Sequence, residues 1–238
     1  MTDEPEVSRR SGVAPFIAMD VMRDATALEG AGGERIIHLE VGQPSTQAPR
    51  VVRDAAARAL EADRLGYTDA LGLLSLRQRI ARHYGERHGL DIAPERVVVT
   101  AGSSGGFILA FLACFDAGAR VAISEPGYPA YRNILLAMGL EPIGIPVGPE
   151  TRWSLTPDLI DQAEAKHGRI AGVLVASPAN PTGTMMTPAT LAELSTEGKY
   201  TDEASGTKKG FFTKVGSKVG LGVKEYASSA DNLSIVLE

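Results

Sequence analysis

The 238-residue chain has one cysteine, Cys114, so no disulfide framework can hold it together. Cys114 sits in the apolar stretch FILAFLACF, where a small buried hydrophobe is expected rather than a nucleophile. Its four histidines, His38, His83, His88 and His167, lack metal-ligand spacing, and no metal is expected. A net charge of −5 gives no electrostatic reason to expect nucleic acid. The longest apolar run, residues 107–115, is too short to cross a bilayer. The polar, charged N-terminus shows no signal peptide, so a cytoplasmic enzyme or binding protein is expected. Neither G-x-G-x-x-G nor G-x-x-x-x-G-K-[ST] occurs, which excludes the dinucleotide fingerprint and the Walker A loop.

One absence divides the chain. All 17 arginines lie at or before Arg169, whereas six of the seven lysines lie at or after Lys199. Basic-residue choice seldom flips so cleanly within one domain, so a junction is expected near residues 194–198. The tail beyond it is rich in Lys, Gly and Ser and is expected to be disordered or partly folded. Phe212, Val215, Val219 and Val223 share one side of a notional basic amphipathic helix, a membrane-surface pattern. Gly216, Gly220 and Gly222 weaken that helix, and no membrane contact is expected from it.

What is present before the junction alternates. The stretches IIHLEVGQP (36–44), RVVVTAG, RVAIS, EPIGIPV and RIAGVLVAS read as short apolar strands. Between them lie helical patterns. Val51, Val52, Ala55, Ala56, Ala59 and Leu60 fall at helical spacing, as do Leu76, Ile80 and Tyr84. TPDLIDQAEAKHG opens with a capping Thr and a Pro at the first helical position. The alternation predicts an α/β fold, a mainly parallel sheet with helices on both faces. The expected organisation is an N-terminal arm and first strand (1–45), a partial large domain (46–194) and a divergent tail (195–238).

Three strand ends carry chemistry. VVVTAGSSGGF (97–107) runs strand, glycine-rich turn, helix. Gly102, Ser103 and Ser104 would form a phosphate cup where backbone N–H groups and the helix dipole meet an anion. The same stretch fits G-x-S-x-G, the nucleophile elbow of hydrolases, with Ser104 as nucleophile. That alternative needs an acid and a later histidine. Only His167 lies downstream, close behind Asp158 and Asp161. EPGYPAY (125–131) offers Tyr128 as a ring to lie flat against an aromatic ligand. SPANPTGT (177–184) offers the amide of Asn180, held by a proline on its far side.

Together, LEVGQPSTQAP, LGYTDALGLLSLRQRIARHY, VVVTAGSSGGF, SEPGYPAYRN and VLVASPANPTGT resemble the fold-type I pyridoxal-phosphate enzymes, specifically the class I/II aminotransferases. The resemblance runs over about residues 14–194. It implies a pyridoxal 5′-phosphate cofactor, transamination between an amino acid and a 2-oxo acid, and a homodimer. It implies that Gly42 sits by the substrate carboxylate. Tyr67 would reach the cofactor phosphate of the neighbouring subunit. Gly102, Ser103 and Ser104 would hold the phosphate of their own subunit's cofactor, Tyr128 would stack on its ring, and Asn180 would bond its phenolic oxygen.

The family also uses a Schiff-base lysine, a carboxylate beside the ring nitrogen and a substrate-binding arginine. These should follow residue 194, and the tail does not match them. Lys214 and Lys218 are the candidates for the lysine, but both lie too close to Asn180 for the family's spacing and no arginine follows. The expectation is therefore a chain with little or no activity. A remnant that binds cofactor or phosphate without catalysis, or that pairs with a complete subunit, is the second reading.

Overall fold

The computed structural model describes residues 7–32, 35–196, 201–202, 207–208, 212–216 and 219–223. These form two compact units, residues 14–69 and the remainder.

The larger unit is built on a sheet of five strands in the order β2-β1-β3-β6-β7. They are β1 (Arg120–Glu125), β2 (Glu141–Pro146), β3 (Gly172–Ala176), β6 (Phe212–Gly216) and β7 (Val219–Val223). Two further strands, β4 (Thr201–Asp202) and β5 (Thr207–Lys208), pair antiparallel as a separate ribbon. β1 runs parallel to both neighbours, aligning Arg120 with Glu141 on one side and Val121 with Gly172 on the other. β6 is parallel to β3, with Lys214 opposite Val175, and β7 turns back antiparallel.

Alternation along β1 explains the two cores. Val121 and Ile123 point into one cluster with Phe107, Ala110, Phe111, Tyr131, Leu135 and Leu174. Ala122 points into the other with Ile143, Ile160, Val173, Val175 and Leu194. Helices α4 (Gly102–Cys114) and α5 (Pro129–Ala137) supply the first face. Helices α6 (Pro157–His167) and α7 (Pro188–Thr196) supply the second. The parallel sheet covered on both faces is therefore the architecture that the alternating sequence predicts.

Helix α3 (Leu74–His88) stops at Gly89, whose φ of 65° lies in the left-handed region that ends helices. Its buried residues are Arg77, Ala81 and Tyr84, so the face is rotated from the expected Leu76–Ile80–Tyr84 line and Leu76 stays exposed. Arg77 takes the inner position because it has backbone partners there. Its Nε donates to the Gly72 carbonyl (3.1 Å) and its Nη1 to the Pro94 carbonyl (3.2 Å).

Two strand expectations fail. Residues 36–44 form no strand, and neither do the valines of 97–100, although Val97 is extended and the Val99 N–H donates to the Leu71 carbonyl at 3.0 Å. β-Branched runs become strands only where a neighbour completes the ladder. Phe212 and Val215 lie on strand β6, and Val219 and Val223 on strand β7, so the four do not share one helix. Cys114 is half-buried.

The smaller unit holds α1 (Ile17–Gly30) and α2 (Arg50–Ala62). The α2 helix forms as its spacing predicts, yet Val51, Val52 and Leu60 stay exposed. Beyond α1, a clasp ties the following segment back to the helix end. Glu29 accepts from the Ile36 N–H at 2.9 Å, and His38 lies between Glu40 (Nδ1 to Oε1, 2.6 Å) and Glu29 (Nε2 to Oε2, 3.4 Å).

Two predictions follow from these contacts. A Cβ on Gly172 would collide with the ring of Phe115, so Gly172→Ala should destabilise the chain by about 1–3 kcal/mol, read as a lower urea midpoint at unchanged slope. The hydrogen bonds that His38 donates to Glu40 first, and then to Glu29, hold its pKa above the ordinary 6.5. Both carboxylates are held below their ordinary 4.5, Glu29 chiefly by the Ile36 N–H and Glu40 chiefly by His38. The imidazolium contribution is complete below the unfolded value and fades as pH rises through the folded one; the carboxylate contribution fades as pH falls. An NMR titration should therefore place the His38 midpoint above 6.5, and Glu40→Gln should lower it.

Candidate functional site

The candidate residues follow from one property of parallel strands: neighbours exit at the same edge. β1 ends at Glu125, and Tyr128 stands just before the first residue of α5, three residues later. β3 ends at Ala176, and Asn180 follows in the next turn. Tyr128 and Ala176 pack against the same core cluster.

Helix α4 brings its N-terminus to that edge. Phe115, just past its end, lies against Gly172 at the start of β3. Phe107, near its beginning, meets Tyr131 in α5 with ring centroids 5.1 Å apart. The first turn of α4, with Gly102, Ser103 and Ser104, therefore lies on the Tyr128 side of the sheet. These three residues are exposed, and no side-chain oxygen caps the helix at Ala101. N–H groups of a first helical turn have no acceptor inside the helix. Gly102 has a φ of 75°, and its Cβ position is open, with no atom within 4 Å. An uncapped helix start flanked by two hydroxyls fits a phosphate dianion.

The turn after β3 is braced from within. The Ala179 N–H donates to the Thr184 carbonyl (2.9 Å) and the Gly183 N–H to the Ala179 carbonyl (2.7 Å). Buried Ser177 accepts from the Met186 N–H through its Oγ at 3.1 Å. The bonds between Ser177 and Pro178 and between Asn180 and Pro181 are both cis. Asn180 is left exposed at the tip.

The remaining candidates belong to other segments. Gly42 and Tyr67 belong to the smaller unit, where Gly42 is exposed and Tyr67 is fully so, at 108%. The backbone of Lys214 lies on β6, while Lys218 falls outside the described residues. The hydrolase constellation does not assemble. His167 ends α6, and a Cβ on the adjoining Gly168 would lie 3.2 Å from Nη1 of Arg120, the first residue of β1. Ser104 and His167 are thus at opposite edges of the sheet. Among the described residues there is no metal-binding cluster, and no helix is long and apolar enough to cross a membrane.

Three residues that shape this edge carry no role in the sequence reading: Phe107, Tyr131 and Ser177. The i, i+3 spacing of Tyr128 and Tyr131 across a helix start is the one signal that could have marked a pair.

Fold and edge together define an α/β protein with an exposed helix start that has no side-chain cap, on the same side of the sheet as an aromatic ring and a braced polar turn. Residues 34–199 match the model of aminotransferase class I and II, and the chain belongs to that family. Members of the family use pyridoxal phosphate. The chain is 51% identical over 194 residues to the valine–pyruvate aminotransferase of Mycobacterium tuberculosis, covering 82% of this chain and 48% of that protein. It is 35% identical over 179 residues to the aspartate aminotransferase of Thermotoga maritima, covering 74% and 46%. The crystal structure of an aminotransferase from M. tuberculosis superposes with a TM-score of 0.72 at 51% identity, covering 80% of this chain and 48% of that one. The chain thus spans about half the length of the relatives it matches.

The bracing of the polar turn can be tested alone. Ser177→Ala should cost about 1 kcal/mol by removing the acceptor for the Met186 N–H, and should speed proteolysis within 177–186. An unchanged melt and unchanged cleavage would show that the turn holds without it.

Proposed function

We propose that this chain is the N-terminal arm and first part of the large domain of a pyridoxal-phosphate-dependent aminotransferase, and that it binds the cofactor but turns over little or nothing by itself. The observation that carries this reading is the uncapped, exposed start of α4 at the edge where Tyr128 and Asn180 emerge. The domain division proposed with it is an N-terminal arm to residue 45, without the strand expected there, the partial large domain to 194, and a divergent tail beyond.

Each residue has a task in this reading. The first-turn N–H groups of α4 and the hydroxyls of Ser103 and Ser104 bind the phosphate, helped by the helix dipole. Gly102 lets the backbone come close. Tyr128 presents its ring to the pyridine face, and the Asn180 amide donates to the phenolic oxygen. Gly42 flanks the substrate carboxylate. The full exposure of Tyr67 supports its reaching the cofactor phosphate of the partner subunit in a homodimer. When bound, pyridoxal phosphate supplies an electron sink for a carbanion at the substrate α-carbon.

Moving the α-proton needs a lysine, and gripping the substrate carboxylate needs an arginine. Neither Lys214 nor Lys218 is assigned that role, and no arginine follows Arg169. The first substrate pair to try is valine with pyruvate, because the 51%-identical relative bears that name.

The test is a pyridoxal phosphate titration, followed by borohydride reduction and peptide mapping, with a parallel valine–pyruvate assay. Saturable binding, scattered labelling and background turnover are expected. Ser104→Asp should weaken cofactor binding at least about tenfold by placing a like charge at the phosphate. Stoichiometric labelling of Lys214 or Lys218, or turnover that depends on added cofactor, would overturn the proposed inactivity. An absence of binding would overturn the cofactor reading itself.

A further inference from the structure

A file of rings connects the two ends of the candidate site. Phe107 lies one turn along α4 from Ser103 and Ser104 and is 3% exposed. Its ring meets that of Tyr131 at 5.1 Å between centroids and 62° between planes. Tyr131 meets Tyr128 at 5.3 Å and 80°. Both contacts have the edge-on geometry that aromatic pairs prefer. Tyr131 also donates its backbone N–H to the Tyr128 carbonyl at 3.1 Å. Tyr131 is therefore held on two sides, by α4 behind it and by its own helix start in front.

The three rings differ in surroundings. Phe107 and Tyr131 are core residues, while Tyr128 is half-buried at the exit edge of β1. Burial, with the neighbouring Tyr128, pushes the Tyr131 hydroxyl up to about 12. A buried ring with neighbours on both sides has little freedom to turn. Tyr128, at the rim, has its ring plane backed by that fixed neighbour.

We propose that Tyr131 is a positioning residue, whose ring, wedged between Phe107 and Tyr128, fixes the plane of Tyr128 relative to the first turn of α4, so that one aromatic phosphate ester meets ring and helix start together. This deepens the cofactor reading and rests on it for the ligand. The ring rather than the hydroxyl carries the effect. The backbone bond from Tyr131 to Tyr128 survives any substitution except proline, so side-chain replacements test the ring alone.

The probe is pyridoxal phosphate, titrated by absorbance and fluorescence quenching, with inorganic phosphate as competitor. Tyr131→Phe should leave the affinity within about twofold. Tyr131→Leu should weaken it about three- to tenfold, the range that one aromatic pair supports, with inorganic phosphate binding unchanged. In a Tyr128→Leu background the Tyr131→Leu change should add nothing. An equal loss in that background, a loss with Tyr131→Phe, or a parallel loss of inorganic phosphate binding would each overturn the proposal. If Tyr131→Leu does not fold, Phe107→Leu loosens the same file from behind and should weaken pyridoxal phosphate with inorganic phosphate unchanged; no change would overturn the proposal.

A second measurement needs no ligand. With fluorotyrosine in the chain and the Tyr128 resonance assigned by its loss in Tyr128→Phe, the Phe107→Leu variant should shift or broaden that resonance. If the parent chain binds no pyridoxal phosphate, the cofactor reading falls while this resonance still decides the ring's role. An unmoved resonance would overturn the positioning of Tyr128 whatever the chain binds.

Discussion

The parallel pairing of β1 with β3 is the constraint on which the rest depends. A parallel strand leaves its sheet at the far edge from where it enters, so a helix must carry the chain back across one face. α5 does this between β1 and β2, and α6 does it between β2 and β3. As a result the segments after β1 and after β3 emerge at one edge, bringing Tyr128 and Asn180 there from positions 52 residues apart in the sequence. Open α/β sheets hold ligands at this carboxyl edge. The location of the site is thus a property of strand direction. Its chemistry comes from what the loops carry.

Helix α4 shows how sequence chemistry meets that constraint. Its GSSGGFILAFLAC is apolar beyond the first turn. Phe107, Ala110 and Phe111 bury one side against β1 and α5. Ile108, Leu109 and Leu112 leave the other side exposed. A helix apolar all round is normally covered all round. Among the described residues, α4 has one side packed and one side exposed.

Much of this was legible in the sequence, for identifiable reasons. Helix starts and stops carry local chemistry: Thr156 accepts from the Leu159 N–H at 3.4 Å, and Gly89 ends α3 with a left-handed turn. β1, β2 and β3 are short, strongly apolar and sandwiched, so their composition suffices. The valines of 97–100 have equal propensity and form no strand, because a ladder depends on a neighbour that propensity does not encode. The inward turn of Arg77 was invisible for a similar reason. Its acceptors, the carbonyls of Gly72 and Pro94, are backbone groups that only the folded chain brings within reach. At the candidate site, residue types at strand ends were readable one by one. The ring file through Phe107 and Tyr131 was not, since it links two helices that the sequence leaves independent.

The helix starts separate the two faces of the sheet. On one face, α6 begins under the Thr156 hydroxyl, and α7 begins where Thr187 Oγ1 accepts from the Thr190 N–H at 3.1 Å. On the other, α4 and α5 begin at Ala101 and Tyr128 with no side-chain cap. Losing a cap typically costs about 1 kcal/mol. For α5, Pro129 at the first helical position removes one orphan donor by having no N–H, which reduces that cost. At α4 the Gly102 N–H donates to the Thr100 carbonyl at 2.9 Å, and the start carries a left-handed glycine and two exposed serines. Side-chain hydroxyls thus cap the two helices of one face, while the exposed start of α4 on the other has none. A bound anion would satisfy the first-turn donors beyond Gly102, which suits this start to a phosphate.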